Sequence, residues 1–307
     1  MATHDTLVSI CIATYKRPEG LKRLILGLNQ LTFSTIAPPD IEIIIADNDA
    51  TASARAFCEE VRSQIRWDLN YSVEPEPGVT YARNRTISNA ADSTNFIVMI
   101  DDDEVPDPRW LDQLLKVQAE FSADIVTGPV HPHFEDPNTP DWIIKGQFFE
   151  PHTYETGHLL NVAFTNNVLI RAECLKGMNP VFDQRFALKG AEDSYLFMKL
   201  FSSGHKIVWA KQAIVQEWIP ASRTELNWLL QRNFWGWSSY SLFEKEFFAS
   251  TTGQVTRAFK GLGLVILGLF SLPFSLFKGK SAIVKSMVNI SRGLGTFSGL
   301  IGLQGQW

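Results

Sequence analysis

Four consecutive carboxylates, Asp101, Asp102, Asp103 and Glu104, follow the apolar run Phe96-Ile97-Val98-Met99-Ile100. Carboxylates this close repel one another unless a cation or solvent screens them, and hard cations such as Mg2+ or Mn2+ take oxygen ligands alongside substrate phosphates. A buried strand that ends in such a run delivers it to the edge where open α/β sheets bind ligands. The chemistry predicted is a divalent metal held by carboxylates, set against a plain solvated acidic turn.

A second acidic pair, Glu192-Asp193, follows Gly190-Ala191 at the start of a helical pattern. First-turn amides and the helix dipole keep a carboxylate ionised there, which suits a general base that takes a proton from a hydroxyl; simple first-turn capping explains the same residues equally well. Ala13-Thr14-Tyr15-Lys16-Arg17 and Asp47-Asn48-Asp49 each follow an apolar run, so both lie at strand ends. Asp47 is placed to accept from a base imide or a ribose hydroxyl, Tyr15 to stack, and Arg17 or Arg83 to face a diphosphate as planar forks. Taken singly these are ordinary loop residues, and their convergence on one sheet edge is what counts. His131-Pro132-His133 with Asp136 has neither helical spacing nor a companion cysteine, so it is not read as a metal site.

The elements that must position these groups alternate. Val8 to Ala13, Ile41 to Ala46 and Phe96 to Ile100 read as strands covered on both faces. Pro18 opens a helix carrying Leu21, Leu24, Ile25, Leu28 and Leu31, and Asp107-Pro108 opens another with Leu111, Leu114 and Leu115. From Leu7 to Gly128 the pattern is that of βαβ units with a mainly parallel sheet. Residues 129–165 read as long loops; a strand near Asn167 to Ile170, a helix from about Glu192 ended by Gly204, and a strand Lys206 to Trp209 follow.

The remainder differs in character. Thr224 to Phe248 holds eight aromatics, too many for an ordinary exposed helix, and Gly261 to Phe277 is an uncharged stretch between Lys260 and Lys278 with Pro273 inside. That stretch is roughly 25 Å as helix, short of the roughly 30 Å hydrocarbon core, so an interfacial or monotopic helix pair with snorkelling lysines is predicted, Ser281 to Leu303 being the second element. A soluble hairpin buried in an oligomer is the alternative. No Asp or Glu follows Glu246, whereas Arg257, Lys260, Lys278, Lys280, Lys285 and Arg292 do, so the tail suits an anionic surface. The net charge of −5 argues against nucleic acid as a partner. Three scattered cysteines indicate a reducing compartment, and the N-terminus lacks a signal-peptide pattern.

In order, Val8-Ser9-Ile10-Cys11-Ile12-Ala13-Thr14-Tyr15-Lys16-Arg17-Pro18, Ile45-Ala46-Asp47-Asn48-Asp49, Ala82-Arg83-Asn84, Ile100-Asp101-Asp102-Asp103-Glu104 and Gly190-Ala191-Glu192-Asp193 resemble the family 2 inverting glycosyltransferases. The resemblance spans roughly residues 6–240, and Gly128-Pro129-Val130 and Pro140-Asp141-Trp142 make the chain most like bacterial enzymes of succinoglycan-type exopolysaccharide assembly. It implies an α/β GT-A fold, Rossmann-like with flanking helices, plus a C-terminal helical, membrane-associating tail. The implied organisation is a GT-A domain over 1–222, with a nucleotide-binding half to about 128 and an acceptor half from 129, then an aromatic-rich helix over 223–252 and a basic apolar tail over 253–307.

The same resemblance implies a nucleotide-diphosphate sugar donor, with a UDP-sugar expected, and Mn2+ or Mg2+ as cofactor. Asp103 would ligate the metal, and Asp101 the metal or the donor. Ala13, Thr14, Tyr15, Arg17, Asp47, Asn48, Arg83 and Asp102 would complete the nucleotide-sugar site, Asp102 with a largely structural share. Asp193 would be the base, with Glu192 beside it, inverting the sugar in one displacement. The acceptor would be a lipid-linked or oligosaccharide hydroxyl, at a cytoplasmic site peripheral or monotopic on the inner membrane face. Two departures stand out: Glu217 in Val215-Gln216-Glu217-Trp218 stands where many relatives have His, and Gln231-Arg232-Asn233-Phe234-Trp235 lacks the Arg of the processive Gln-x-x-Arg-Trp motif. Transfer of a single sugar is therefore expected. A sugar nucleotidyltransferase would need a Gly-rich loop that Thr14 to Gly20 does not supply, and a non-catalytic membrane scaffold or sugar-nucleotide binder remains the other class.

Overall fold

A computed structural model describes residues 6–303; the readings made on residues 1–5 and 304–307, at the start of the chain and the end of the tail, lie outside the described residues. The chain runs β1 (Leu7–Thr14), α1 (Pro18–Leu28), β2 (Asp40–Asp47), α2 (Arg55–Val61), β3 (Asp68–Val73), α3 (Val79–Ser88), β4 (Phe96–Met99), β5 (Glu104–Pro106), α4 (Trp110–Phe121), β6 (Ile125–Thr127) and β7 (Val130–Phe134). It continues with α5 (Asp141–Gly146), β8 (Leu159–Leu160), β9 (Val168–Arg171), α6 (Glu192–Ser202), β10 (Ile207–Trp209), β11 (Val215–Ile219), α7 (Leu226–Phe247), α8 (Thr251–Ser275) and α9 (Lys280–Leu300).

Eight strands form one sheet in the order β3-β2-β1-β4-β9-β6-β10-β8, and β5, β11 and β7 form a second, three-stranded one. In the large sheet β3, β2, β1 and β4 pair in parallel, as do β6 and β10; β9 runs antiparallel between β4 and β6, and β8 antiparallel to β10. The fold is thus mixed α/β with mostly parallel strands. Val8, Ile10 and Ile12 of β1 and Ile43 and Ile45 of β2 are fully buried and join Leu21, Leu24, Ile25 and Leu28 of α1 in one core. Pro18 sits at the start of α1, where its missing N–H would have no helical partner.

The register of β1 against β2 pairs Ala13 with Ala46 and Thr14 with Asp47, so the loops that follow both strands begin at the same height. Strand β4 ends beside them, one residue before Ile100 leads into the carboxylates. Helix α1 is seated close against that acidic loop: a Cβ on Gly20 would lie 2.5 Å from the Asp102 carbonyl oxygen, so only glycine permits the approach.

The segment read as loops over 129–165 differs from expectation, because it contains β7, α5 and β8. Pro132 within β7 and the brevity of the other two elements hide them from any periodicity. The contacts divide the chain into two compact units, the first of Met1–Pro132, Pro151–Leu188 and Ser203–Trp218, the second of His133–Glu150, Lys189–Ser202 and Ile219–Trp307. The first holds the large sheet. The second is helical; its own core gathers Trp142 and Ile143 of α5, Leu229 of α7 and Val284 and Val288 of α9. Among the described residues α8 is long and apolar enough to cross a membrane by length and composition, and few of its residues are buried.

Candidate active site

The acidic run resolves into four side chains with different fates. Asp102 turns inward and is 4% exposed; its Oδ2 accepts from Thr14 Oγ1 at 2.8 Å and its Oδ1 from Arg17 Nη1 at 3.0 Å. The same Arg17 nitrogen donates to Asp103 Oδ2 at 2.8 Å, so one guanidinium corner bridges two neighbouring carboxylates. Asp101, partly exposed, accepts from Arg83 Nη2 at 2.9 Å; Arg83 is buried and also lies over the Phe182 ring. Glu104 is buried, and its Oε2 accepts from the backbone N–H of Asp101 at 2.8 Å.

Burial governs the protonation of the two inward groups. It pushes the Asp102 carboxyl up to about 6 from an ordinary 3.8, with Arg17 opposing. It also raises Glu104 well above the usual carboxylate range, and the charges of Asp101, Glu217 and Asp103 act in the same direction. Glu217 faces Glu104 directly across the β5–β11 ladder, and the Asp103 carbonyl accepts from Trp218 N–H at 2.8 Å. The short second sheet therefore anchors the far side of the acidic loop.

The loop after β2 is built differently. Asp47 is fully buried; its Oδ1 accepts from Asp49 N–H at 3.0 Å, and its Oδ2 accepts from Ala54 N–H and from the Tyr71 hydroxyl, each at 2.9 Å. Burial, and then the bond to Asp47, push the Tyr71 phenol up. Asn48 spends its amide on the 74–78 turn: Nδ2 donates to the carbonyls of Glu74 and Glu76, and Oδ1 accepts from Gly78 N–H at 2.9 Å. Its own N–H donates to Thr14 O at 2.8 Å, tying the ends of β1 and β2 together. Tyr15, by contrast, is 55% exposed with Lys16 over its ring.

Ala13, Thr14, Tyr15, Arg17, Asp47, Asn48, Arg83 and Asp101 to Asp103 all lie in the first unit, at the carboxyl ends of β1, β2 and β4 or on α3. Glu192 and Asp193 open α6 in the second unit, after Gly190 and Ala191, both at positive φ. Asp193 Oδ1 accepts from Ser194 N–H and from the Ser194 hydroxyl.

A model of the family described as glycosyl transferase family 2 matches residues 9–177, more than half of the chain. The chain belongs to that family. The succinoglycan biosynthesis protein ExoM of Rhizobium meliloti (strain 1021) is 31% identical over 232 residues, covering 75% of this chain and 73% of ExoM. The glucosyl-dolichyl phosphate glucuronosyltransferase of Haloferax volcanii is 24% identical, with 74% of each chain covered. The crystal structure of S. aureus TarS 1-349 in complex with UDP-GlcNAc aligns over 95% of this chain and 91% of its own with a TM-score of 0.54, and at 16% identity it shows the shared GT-A fold.

In this family 2 member the carboxylates suit a hard divalent ion. Asp101 and Asp103 offer oxygen donors from a loop at the strand ends, while Asp102, held inward by Thr14, shapes that loop. Another cluster, Asp124, Cys174 and His205, has ligand atoms all within 4.8 Å of one another. It lies beyond the amino ends of β6 and β10, at the opposite edge of the sheet, and its thiol suits zinc rather than Mg2+ or Mn2+.

Sequence reasoning missed Tyr71, counted Glu104 in the acidic run without a role of its own, and named Glu217 only as a departure. Tyr71 lies in the polar strand β3, 24 residues from its partner Asp47, and only tertiary structure connects them.

Proposed function

We propose that the chain transfers one sugar, with inversion, from a nucleotide-diphosphate sugar, a UDP-sugar in the first instance, to a hydroxyl of a lipid-linked or saccharide acceptor. The observation that carries this reading is the Arg17–Asp102–Asp103 and Arg83–Asp101 network on the carboxylate loop. Two fixed guanidinium groups interleaved with the carboxylates give a loop able to meet a diphosphate and its counter-ion together. The family and the relatives named for succinoglycan synthesis and for transfer to a dolichyl phosphate sugar agree with it.

In this reading Asp101 and Asp103 would hold Mn2+ or Mg2+, which would supply positive charge for the departing nucleoside diphosphate. Tyr15, exposed and adjacent to β1, stacks on the base, while Asp47 and Asn48, committed to backbone and Tyr71, hold the walls of the nucleoside site. Asp193, beside Glu192, takes the acceptor hydroxyl proton. That oxygen bonds to the anomeric carbon as the bond to the diphosphate oxygen breaks, and the proton stays on the carboxyl until solvent removes it.

The tail supplies the membrane. Phe259, Leu262, Ile266, Phe270, Phe274 and Phe277 recur at helical spacing along α8 and just beyond it, and all are exposed. An apolar stripe running the length of a helix suits burial in the plane of the interface better than crossing it. The opposite face packs on α9 through small residues: a Cβ on Gly261 would meet Thr296 at 2.9 Å, one on Gly293 would meet the Gly261 carbonyl at 2.5 Å, and Ser271 and Ser275 each pair with Ser286. Membrane helices associate in this way.

A screen of nucleotide sugars following nucleoside diphosphate release tests the proposal, with calorimetry of donor binding alongside. Asp193→Asn is expected to abolish turnover while donor binding persists, and Asp103→Ala to abolish metal-dependent donor binding. Full turnover by Asp193→Asn would remove the base, and long polymers from the purified protein would remove single transfer.

A further inference from the structure

Arg292 on α9 is a partly buried guanidinium in an unusual setting. Its Nε donates to Asn233 Oδ1 of α7 at 2.7 Å, and its guanidinium lies 5.7 Å from the centre of the Trp237 ring. Neither partner carries charge, and burial alone shifts its proton affinity, downward from the ordinary arginine value. A desolvated cation is costly unless something compensates it.

The neighbouring cation is already balanced. Arg257 of α8 approaches the same Trp237 ring and the Tyr240 ring, but its Nε donates to Glu244 Oε2 at 2.5 Å. Lys285 precedes Arg292 by seven residues on α9, hence on the same helical face, and is exposed. No carboxylate occurs in α8 or α9 to answer either group. The α7–α9 face is thus an indole beside an uncompensated guanidinium with a second cation two turns away, on a helix packed against the apolar-striped α8.

We propose that this face, centred on Arg292 with Asn233, Trp237 and Lys285, binds the phosphate of an anionic membrane lipid. A planar guanidinium matches phosphate as a two-point donor, Asn233 keeps it oriented, and an indole is at home where headgroups meet hydrocarbon. The inference rests on the interfacial tail described above and adds a specific headgroup contact to it. Diffuse attraction would come equally from Lys260, Lys278 and Lys280; a seated phosphate depends on Arg292 above the others.

Flotation of the full chain with phosphatidylcholine vesicles, and with vesicles in which part of that lipid is replaced by phosphatidylglycerol, tests this. Wild type is expected to bind the anionic vesicles at least about a hundredfold more tightly, since several cations act at the surface and each is worth about fivefold. Arg292→Gln should keep its affinity for phosphatidylcholine and lose most of the anionic increment, Arg292→Lys should keep part of it, and Lys278→Gln should lose only about fivefold, the worth of one cation near an anionic surface. An Arg292→Gln loss no greater than that of Lys278→Gln, or no anionic preference in wild type, overturns the proposal. If Arg292→Gln does not fold by circular dichroism, hydrogen exchange in wild type decides: added protection of residues 230–237 and 288–296 on anionic over neutral vesicles supports it, and equal protection refutes it. Absence of binding to either vesicle sinks the interfacial tail itself, whereas nucleoside diphosphate release by the same protein reports on the transferase reading independently.

Discussion

Replacing Asp102 by Asn isolates the buried member of the acidic loop without changing its shape. Burial holds its carboxyl at about 6, against 3.8 for the exposed group. The gap of about 2 units, at roughly 1.4 kcal/mol each, is about 3 kcal/mol of pH-dependent stability. The raised value means that the folded protein keeps a proton the unfolded chain has released. The contribution is therefore fully present below pH 3.8 and lost as pH rises through 6. Urea unfolding of metal-free wild type and Asp102→Asn, followed by far-UV circular dichroism at intervals from pH 4 to 7, measures it. Wild type is expected to lose about 3 kcal/mol relative to the variant across that range, and a bound divalent ion next to Asp102 should shrink the loss by favouring the charged form. A flat difference would refute the burial argument, and a difference of opposite sign would show that Arg17 and Thr14 outweigh burial.

Asn167 is fully buried and satisfied on every side: Oδ1 accepts from Trp110 Nε1, Nδ2 donates to the carbonyls of Pro129 and Ala213, and its own carbonyl accepts from Thr127. Asn167→Ala orphans the Trp110 donor and the Ala213 acceptor, at about 1–3 kcal/mol each, while the Pro129 carbonyl keeps the Val215 N–H; a loss of roughly 4 kcal/mol in urea unfolding is expected, and a loss below about 1 kcal/mol would contradict the accounting. Burial pushes the thiols of Cys11 and Cys58 up to about 12 and that of Cys174 to about 11. Iodoacetamide at pH 8 should therefore leave the native protein unmodified and label all three thiols in urea, because the thiolate is the reactive form. Rapid labelling of the native chain would show one of them to be open to solvent.

The strands read from apolar runs, Val8 to Ala13, Ile41 to Ala46 and Phe96 to Ile100, appear as β1, β2 and β4 within a residue or so at each end, because strands covered on both faces leave no polar alternation to confuse the pattern. The next elements were illegible for the converse reason. Strand β3, Asp-Leu-Asn-Tyr-Ser-Val, sits at the edge of the sheet with one residue buried, and α3 carries Arg83 and Asn84 among β-branched and polar residues with a weak apolar face. Both are held by tertiary contacts: Asn84 exchanges hydrogen bonds with Phe182, 98 residues away, through Nδ2 to its carbonyl and Oδ1 from its N–H. Within the site, the carboxylate loop and Arg17 were visible because unlike charges at strand ends have few structural uses, whereas Arg83, on α3, owed its place in the site to the family resemblance. The division of labour inside it was not, since Thr14 meets Asp102 across 88 residues and only that contact sets which carboxylate turns inward.

The tail shows how far hydropathy reaches and where packing must take over. An uncharged stretch over 261–277 reads the same whether a helix spans a bilayer, lies on it or hides in a protein core. The helix settles its own two faces, because glycines and serines line the side against α9 while the phenylalanines are left outward. A Cβ on Gly299 would approach the Ser238 carbonyl to 2.0 Å and one on Gly295 the Phe234 carbonyl to 2.2 Å, so α7 and α9 are likewise brought together by missing side chains. At these crossings backbone is approached where glycine leaves out a side chain, while the large apolar side chains of α8 point the other way. A contiguous apolar stripe of that length on a monomer in water is unusual, and a lipid interface removes the conflict in a single step. The same solvent would make the cost of an unanswered guanidinium at Arg292 largest, so the phosphate proposed there rests on the interface proposed for the stripe on α8.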